Sequence, residues 1–205
     1  MEKNEGDIPE TIRLENFKLR IDPSNYSKDL GIRLYQAFFE AIDVLHKNGY
    51  YTSWLKLLLS AIDTMAFLTY SENNGKEFKM WLEKYVELGP IGITPDEIWE
   101  HRNSLLHMTT MRSRSVKTGK QKYLVPSVGE VNQEYKLRFL IPALEKKYGP
   151  NYRFYESEDF FMAVALGFDK FLLEVENDHD LKRTVMSNFG HIVPDKITIT
   201  VHKNQ

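Results

Sequence analysis

The sequence predicts a mainly α-helical fold with a small β elaboration. Residues 28–47, 51–70 and 157–175 each repeat apolar side chains at helical spacing, the pattern of helices packed around a shared core. Residues 196–202 alternate instead between apolar and polar side chains, as a half-buried strand does. We therefore expect an antiparallel helical bundle that carries a strand near its C-terminus.

The chain length fits one main domain. Its 205 residues are enough for a substantial hydrophobic core. We expect an N-terminal arm over residues 1–27 and a helical domain over residues 28–189, which contains a basic insert at residues 112–126. Residues 190–205 then form a strand segment packed on the same domain. Within the arm, residues 11–21 are either a short strand or an irregular packing segment.

Composition excludes several classes of protein. The formal net charge of -2 argues against a chain that coats nucleic acid by bulk charge, so nucleic-acid contacts must come from local basic patches. The absence of cysteine excludes thiol chemistry and thiolate metal sites. No apolar run reaches ~18 residues and no signal-peptide pattern is present, so we expect a cytoplasmic protein that does not span a membrane.

The first two helices are expected to form a hairpin at the centre of the bundle. Residues 28–47 end at Asn48-Gly49, a pair that suits a helix C-terminus, and residues 51–70 follow at once. The second helix has apolar side chains on almost every side, so it should be central and buried. Asp63 lies on this helix, and a buried carboxylate needs a cation or a hydrogen-bond donor.

A shorter amphipathic helix over residues 77–88 is followed by a turn at residues 89–92 and a helix over residues 94–108. The glycines of the turn lack the strand context and the Lys-Ser/Thr ending of a phosphate-binding loop. Thr94 is a good N-cap, and Glu97 stands where a capping-box carboxylate reaches back. The start of the helix over residues 94–108 is therefore well specified.

Arg102 breaks the pattern of that helix. It falls inside the apolar stripe, which consists of Ile98, Trp99, Leu105 and Leu106. A buried guanidinium is costly, so Arg102 needs a carboxylate such as Asp63, a bound anion or a polar subunit interface. Asn103 and His107 are four residues apart on the adjoining face, so the amide can contact the imidazole. A structural ion pair and a catalytic arrangement both fit these residues.

The six residues from Arg102 to His107, Arg-Asn-Ser-Leu-Leu-His, resemble the signature of the HEPN superfamily. That signature is an arginine, a polar residue next to it and a histidine a few positions further on. Members of the superfamily are helical bundles, usually dimeric, and many are metal-independent endoribonucleases whose Arg and His pairs from two protomers meet in one cleft. Others are inactive binding modules. The resemblance covers roughly residues 30–107 and a later helix.

The resemblance implies RNA cleavage in which a ribose 2′-hydroxyl attacks the neighbouring phosphate, giving a 2′,3′-cyclic phosphate and a free 5′-hydroxyl. No metal or other cofactor is required. His107 would transfer a proton near neutral pH, Arg102 would stabilise the charge on the phosphorane, and Asn103 would orient the imidazole or a phosphate oxygen. A homodimer would supply two histidines, one acting as base and the other as acid.

Two other functions compete with the nuclease. The first is an inactive HEPN-type module that uses the same polar residues to hold a nucleotide, a protein or its own second subunit. The second is an ordinary helical domain in which Arg102 and His107 are satisfied core residues. If the protein is a nuclease, a role as a toxin or in antiviral defence is expected, and an antitoxin or other regulatory protein is then a further partner besides RNA.

The segment that follows this helix is the most basic in the chain. Its cations, with no acidic residue among them, are Arg112, Arg114, Lys117, Lys120 and Lys122. Thr118-Gly119 is suited to the turn of a β-hairpin. Because these cations follow Arg102 and His107 so closely, they either contact the phosphates of RNA or form a solvated loop.

Residues 131–148 are expected to form two short helical turns or a partly irregular segment. Pro142 interrupts their helical pattern, and a Gly-Pro pair ends it. The last long helix then begins with a Ser-Glu-Asp cap at residues 157–159.

Two further features lie near the C-terminus. His179 stands between two aspartates, but adjacent residues point to different sides of a helix and no fourth ligand is apparent, so a solvated connector is expected and not a metal site. The strand at residues 196–202 needs a partner strand, for which residues 11–21 and 123–126 are the candidates.

Overall fold

The helical character that the apolar spacing predicts is confirmed. The computed structural model describes residues 31, 34–72, 74–108, 116, 118–128 and 133–192, which form seven helices and a two-stranded sheet. The helices are α1 (a π-helical turn at Tyr35–Glu40 and an α-helical part at Ala41–Lys47), α2 (Tyr51–Tyr70), α3 (Gly75–Tyr85), α4 (Pro95–Met108), α5 (Gln133–Tyr135, a π-helical turn at Lys136–Leu140, and Ile141–Tyr148), α6 (Ser157–Asn177) and α7 (His179–Ile192). The strands are β1 (Tyr123–Ser127) and β2 (Tyr152–Glu156). Among the described helices, none has both the length and the apolar composition of a membrane span.

Helix α2 is the central helix of the fold, as its apolar sequence predicts. It packs against α1, α3, α4, α6 and α7, and its side chains Leu58 and Ile62 have no solvent exposure. Asn188 of α7 closes its C-terminal end, because the Asn188 amide donates to the carbonyl oxygens of Phe67 and Leu68 at 3.2 and 3.1 Å. This contact satisfies carbonyl groups that a helix end otherwise leaves without a partner.

Helices α3 and α6 approach each other closely where α6 carries a glycine. A Cβ atom at Gly167 would lie 2.8 Å from Cγ2 of Val86 and 3.0 Å from the carbonyl oxygen of Tyr85. Only glycine fits at this distance without a shift of the backbone. Large buried aromatic side chains fill the core around this contact. They are Phe39, Trp81, Phe168 and Phe171.

The two strands pair in parallel, with Tyr123 opposite Tyr152 and Ser127 opposite Glu156. Parallel strands need a long crossover between them, and helix α5 supplies it. The sequence did not predict β2 or this β1-α5-β2 unit. The unit packs on α4, because β1 contacts that helix directly.

The expected turn at Thr118-Gly119 is present, with a left-handed φ of +71° at Gly119. The described strands nevertheless do not form a hairpin. β1 pairs in parallel with β2, and a crossover connects the two strands. The predicted strand at residues 196–202 and its candidate partner at residues 11–21 lie outside the described residues.

Helix α5 continues across the position where an interruption was predicted. Its first part, Gln133–Tyr135, passes through the π-helical turn Lys136–Leu140 into Ile141–Tyr148. Pro142 comes just after the π-helical turn, in which the N–H of Ile141 donates to the carbonyl oxygen of Lys136, so the regular α-helical hydrogen bonds are already interrupted where its N–H is missing. The prediction of two separate turns is therefore wrong, and the alternative of a partly irregular segment is closer, because a π-helical turn interrupts the α-helix. The predicted end is confirmed, because Gly149 follows the helix with a φ of +61°.

Two helices begin differently from the prediction. Helix α3 begins slightly earlier, at Gly75, because the Asn74 side chain caps it by accepting a hydrogen bond from the N–H of Lys76 at 2.9 Å. Ser157 does not cap α6 as predicted. It is the first residue of that helix, and its buried hydroxyl donates to the carbonyl oxygen of Ser127, which joins α6 to β1.

Helix α7 replaces the solvated connector that was expected around His179. Asp178 caps the helix, because its carboxylate accepts hydrogen bonds from the N–H groups of Asp180 and Leu181 at 2.9 and 3.0 Å. These two bonds hold the pKa of Asp178 below its usual value. His179 is exposed in the first turn, and among the described residues no group of three or more acidic or histidine side chains is placed to hold a metal ion.

Candidate functional site

The candidate site is built on α4, whose start is fixed by a reciprocal capping box. The hydroxyl of Thr94 accepts a hydrogen bond from the N–H of Glu97 at 3.2 Å, and the N–H of Thr94 donates to Oε2 of Glu97 at 2.9 Å. Both bonds satisfy donors at the helix N-terminus. The capping predicted from the sequence is therefore confirmed.

Strand β2 holds the buried side of α4 through two alternate residues. Nε of Arg153 donates to Oε1 of Glu97 at 2.9 Å, and Oη of Tyr155 lies 3.3 Å from Nε2 of His101. Alternate strand residues face one side of a sheet, and helix residues four apart share one face, so the two contacts have matching geometry. Arg153 also donates to the carbonyl oxygen of Gly92 in the turn before α4.

The buried side of α4 differs from the predicted apolar stripe. Ile98 and Leu105 are buried as expected, but Trp99 and Leu106 are only half-buried. His101 is buried in their place, with 4% of its surface exposed. This histidine was not among the predicted site residues. A helical projection centred on positions 97, 101 and 105 would have found this face.

Arg102 is held in place by three neighbours. Its Nε and Nη2 atoms both lie 2.8 Å from Oδ2 of Asp63 on α2, and the two side chains are only 15% and 9% exposed. Nη1 donates to Oδ1 of Asn103 at 3.0 Å. The guanidinium carbon lies 5.0 Å from the ring centroid of Trp99, which adds a cation–π contact. The arginine is therefore fixed in one orientation.

Trp99 is itself held in place by helix α3. A Cβ atom at Gly75 would lie 2.7 Å from Cε2 of Trp99, and the ring of Phe78 is 5.3 Å away between centroids. The absence of a side chain at Gly75 therefore makes room for the indole that lies beside Arg102. The position of the guanidinium depends on α2, α3 and α4 together.

The remaining predicted residues are placed less completely. The backbone of His107 continues α4 one turn beyond Asn103, and its side chain lies outside the described part of the structure. Arg112, Arg114 and Lys117 also lie outside it. The contact that the structure describes for the Asn103 amide oxygen is with Arg102.

Lys120 and Lys122 are exposed on either side of Gln121, between the Thr118-Gly119 turn and β1. This placement joins the basic insert to the sheet. Among the contacts of the described residues, none joins Lys120 or Lys122 to Arg102.

Burial controls the protonation of the His101 and Tyr155 pair. It lowers the pKa of His101 from 6.5 to about 4, and it raises the pKa of Tyr155 above its usual value. Both side chains are therefore neutral near pH 7. His101 contributes to the packing of α4 against β2 as an uncharged group.

We expect the stability of the protein to fall as the pH is lowered from about 6.5 towards 4. In this window the unfolded chain binds a proton at residue 101 and the folded chain does not, so stability rises with pH. The loss is about 1.4 kcal/mol per pH unit and about 3 kcal/mol over the window. Urea unfolding at several pH values measures it.

The matched variant for that measurement is His101→Gln, which keeps a hydrogen-bonding group beside Tyr155 and cannot take up the proton. Subtracting its pH dependence removes the contribution of the carboxylates, which also titrate near pH 4. Equal pH dependence in the two proteins would contradict a buried neutral imidazole at position 101.

Comparison with known proteins finds no relatives for this chain. No protein-family model matches it, and neither a curated protein nor a solved structure matches it. The resemblance to the HEPN superfamily therefore depends on the residues from Arg102 to His107 and on the helical setting around them, and it stays a prediction.

Proposed function

We propose that the protein is a metal-independent endoribonuclease with a HEPN-like helical bundle. The observation that carries this proposal is the arrangement of Arg102, which is fixed by Asp63, Asn103 and Trp99 on the helix that also carries His107. An ion pair needed only for packing could be replaced as a whole by apolar residues at little cost. A cation that meets a phosphate must instead be oriented in advance.

The proposed reaction uses the 2′-hydroxyl of RNA as the nucleophile. His107 removes the proton from this hydroxyl as the oxygen attacks the adjacent phosphorus, and the bond to the 5′-oxygen of the next nucleotide breaks. A second histidine returns a proton to that leaving oxygen. The products are a 2′,3′-cyclic phosphate and a 5′-hydroxyl. Arg102 stabilises the additional negative charge on the phosphorane.

Asp63 acts as a positioning residue in this proposal. Two nitrogen atoms of the Arg102 guanidinium meet the same carboxylate oxygen, which sets the plane of the group. The carboxylate also lowers the net charge of the site, so Arg102 attracts phosphate less strongly before the reaction than it would alone. A fixed donor then acts mainly where negative charge increases, in the transition state.

The two-histidine reaction requires a homodimer whose two-fold axis passes near α4. A single α4 carries His107 as the proposed catalytic histidine, because the other histidine of the helix, His101, is buried against β2. The proposal therefore includes a second copy of the chain. It also includes a cytoplasmic location, where RNA is available, and a regulatory partner that restrains cleavage. Light scattering at micromolar concentration tests the dimer, and a strict monomer would contradict it.

Cleavage of RNA in the presence of excess chelator tests the proposed function. Purified protein is incubated with total RNA, and the ends of the products are analysed for 2′,3′-cyclic phosphate and 5′-hydroxyl groups. His107→Ala prepared in parallel controls for contaminating nucleases. Products that disappear when chelator is added, or that persist unchanged with His107→Ala, would overturn the proposal.

A catalytically inactive HEPN-type binding module is the second candidate function. The close ion pair between Arg102 and Asp63 favours it over an enzyme, because a guanidinium whose charge is already balanced by a carboxylate has less charge to offer a phosphorane. The same experiment separates the two functions. A module that binds RNA or a protein partner without producing cyclic phosphate ends is the expected result for this candidate.

A further inference from the structure

We propose that Lys120, Lys122, Lys146 and Lys147, together with the ring of Tyr148, form a binding surface for the backbone of single-stranded RNA. These five residues are called the lysine cluster. The choice of RNA as the ligand rests on the proposed function, whereas the cluster itself is argued from the fold. Lys146, Lys147 and Tyr148 were not among the residues that the sequence indicated.

The fold brings two separate basic segments together. The rings of Tyr123 in β1 and Tyr148 at the end of α5 lie 4.8 Å apart between centroids. The N–H of Tyr123 donates to the carbonyl oxygen of Asn151 at 2.9 Å. A Cβ atom at Gly119 would be 3.9 Å from Nδ2 of the same asparagine. The turn that carries Lys120 and Lys122 therefore runs beside the end of α5.

The charge of this surface is one-sided. The segments 118–123 and 145–152 carry five charged side chains, which are the four lysines and Glu145. All four lysines are exposed, and within the described part of the chain none of them has a carboxylate partner. A chain of net charge -2 thus concentrates unpaired positive charge at one place.

Three lysines on helices α3 and α6 are paired with carboxylates instead. Lys79 pairs with Asp96 at 2.8 Å, and Lys84 pairs with Glu174 at 2.5 Å. Lys170 likewise lies 2.6 Å from a carboxylate oxygen of Glu87. The unpaired lysines of the cluster are therefore distinct from these three neutralised lysines.

A purely local role explains only part of the cluster. Lys146 and Lys147 lie in the last turn of α5, where cations interact favourably with the negative end of the helix dipole. That interaction falls off within one turn, and it gives no reason for the lysines at positions 120 and 122, which belong to a different segment. Four cations from two segments suit an extended anion better than a helix end.

The aromatic ring favours single-stranded RNA as that anion. Nζ of Lys147 lies 4.9 Å from the ring centroid of Tyr148, which is half-buried and packed against Tyr123. Proteins that bind single strands combine lysines that follow the backbone with aromatic rings on which bases stack. An acidic peptide would bind to the same four lysines but would have no need of the Tyr148 ring.

The cluster lies near the beginning of the helix that carries the candidate site. Tyr152 is opposite Tyr123 in the sheet, and the next residue, Arg153, contacts Glu97 in the first turn of α4. Arg102 follows five residues later, roughly 8 Å further along the helix axis. RNA held by the cluster therefore lies beside the N-terminal end of α4.

The test measures how the affinity for RNA depends on salt. The probe is a short single-stranded oligouridylate with 2′-O-methyl groups, which the proposed reaction cannot cleave, and binding is followed by fluorescence anisotropy. The variants are Lys146→Gln with Lys147→Gln, and Lys120→Gln with Lys122→Gln. Each pair should weaken binding and reduce the slope of log K against log salt by about 1.4, because each lost phosphate contact removes about 0.7.

The matched control is Lys84→Gln with Lys170→Gln, which removes the same charge from α3 and α6 and should leave the slope unchanged. The inference is overturned if both cluster variants keep the slope of the original protein, or if the control lowers it equally. It is also overturned if polyglutamate displaces the oligouridylate as well as unmodified RNA does, since the surface would then be one for acidic peptides.

The salt-dependence test of the lysine cluster and the cleavage test of the proposed function can give different results. If the cluster variants lower the slope and no RNA is cleaved in chelator, the surface binds RNA and the nuclease proposal fails. If RNA is cleaved and the slope does not change, the nuclease stands and the cluster is overturned.

Discussion

We expect His107→Ala to lower the rate of RNA cleavage by ~100- to 10,000-fold, the usual contribution of one general acid or base. An imidazole is the side chain best able to take and return a proton near neutral pH. Helical content measured by circular dichroism should not change. The matched control is His179→Ala, which removes an exposed histidine from the first turn of α7 and should leave the cleavage rate unchanged.

Arg102→Ala should lower the same rate by about 100- to 1,000-fold, because the phosphorane loses a fixed charged donor. The double variant should be scarcely worse than the more severe single variant, since the two residues act as one unit in the reaction. Arg102→Lys keeps a positive charge beside Asp63 but lacks the planar fork of the guanidinium. Unaltered cleavage with Arg102→Lys would contradict a role that depends on the orientation of that fork.

We expect Asp63→Ala to lower the free energy of unfolding by about 3–5 kcal/mol. The variant leaves the Arg102 guanidinium, which is only 15% exposed, without its carboxylate. Removing one partner of a buried ion pair has a cost of this size, because the other charge stays in a poorly solvated place. Urea unfolding followed by circular dichroism measures the loss.

Two further variants show whether burial of the ion pair causes the loss of stability in Asp63→Ala. The double variant Asp63→Leu with Arg102→Met replaces both charges by apolar side chains of similar volume and should be close to neutral in stability. Glu134→Ala removes one partner of the exposed pair with Arg138, whose side chains are 66% and 70% exposed, and should cost less than about 1 kcal/mol. A loss for Asp63→Ala as small as this would mean that the pair is not effectively buried.

The stability and cleavage measurements together separate a structural arginine from a catalytic one. If the double variant Asp63→Leu with Arg102→Met is folded and stable but does not cleave RNA, Arg102 is needed for the reaction and not for the fold. If the double variant still cleaves RNA, the ion pair serves only the packing of α2 against α4, and the role proposed for Arg102 in the reaction is wrong.

Local signals allowed part of this structure to be predicted from the sequence. The limits of α2 follow from the Asn-Gly pair before it and from its continuous apolar character. The start of α4 follows from the reciprocal bonds of Thr94 and Glu97, which lie three residues apart. Arg102 was expected to need a carboxylate because its helical phase put it in an apolar stripe, and Asp63 was the candidate.

Features that depend on distant partners were not predicted. The five residues of β2 are three aromatic and two charged side chains, but nothing in them indicates a parallel partner on the far side of a helix. His101 is buried because Tyr155, far away in the sequence, covers it. Pro142 is tolerated because the preceding π-helical turn already interrupts the regular hydrogen bonds of the helix.

The contacts of β2 with α4 also affect how the protein opens in its native state. Glu97 and Arg153 are 56 residues apart in sequence, and His101 and Tyr155 are 54 apart. Any fluctuation that separates β2 from the helix breaks both contacts at once and lets water reach His101. Amide hydrogens in the first turns of α4 and in the sheet should therefore exchange as one cooperative unit. The helix that carries Arg102 thus takes part of its local stability from a strand that contributes no residue to the proposed reaction.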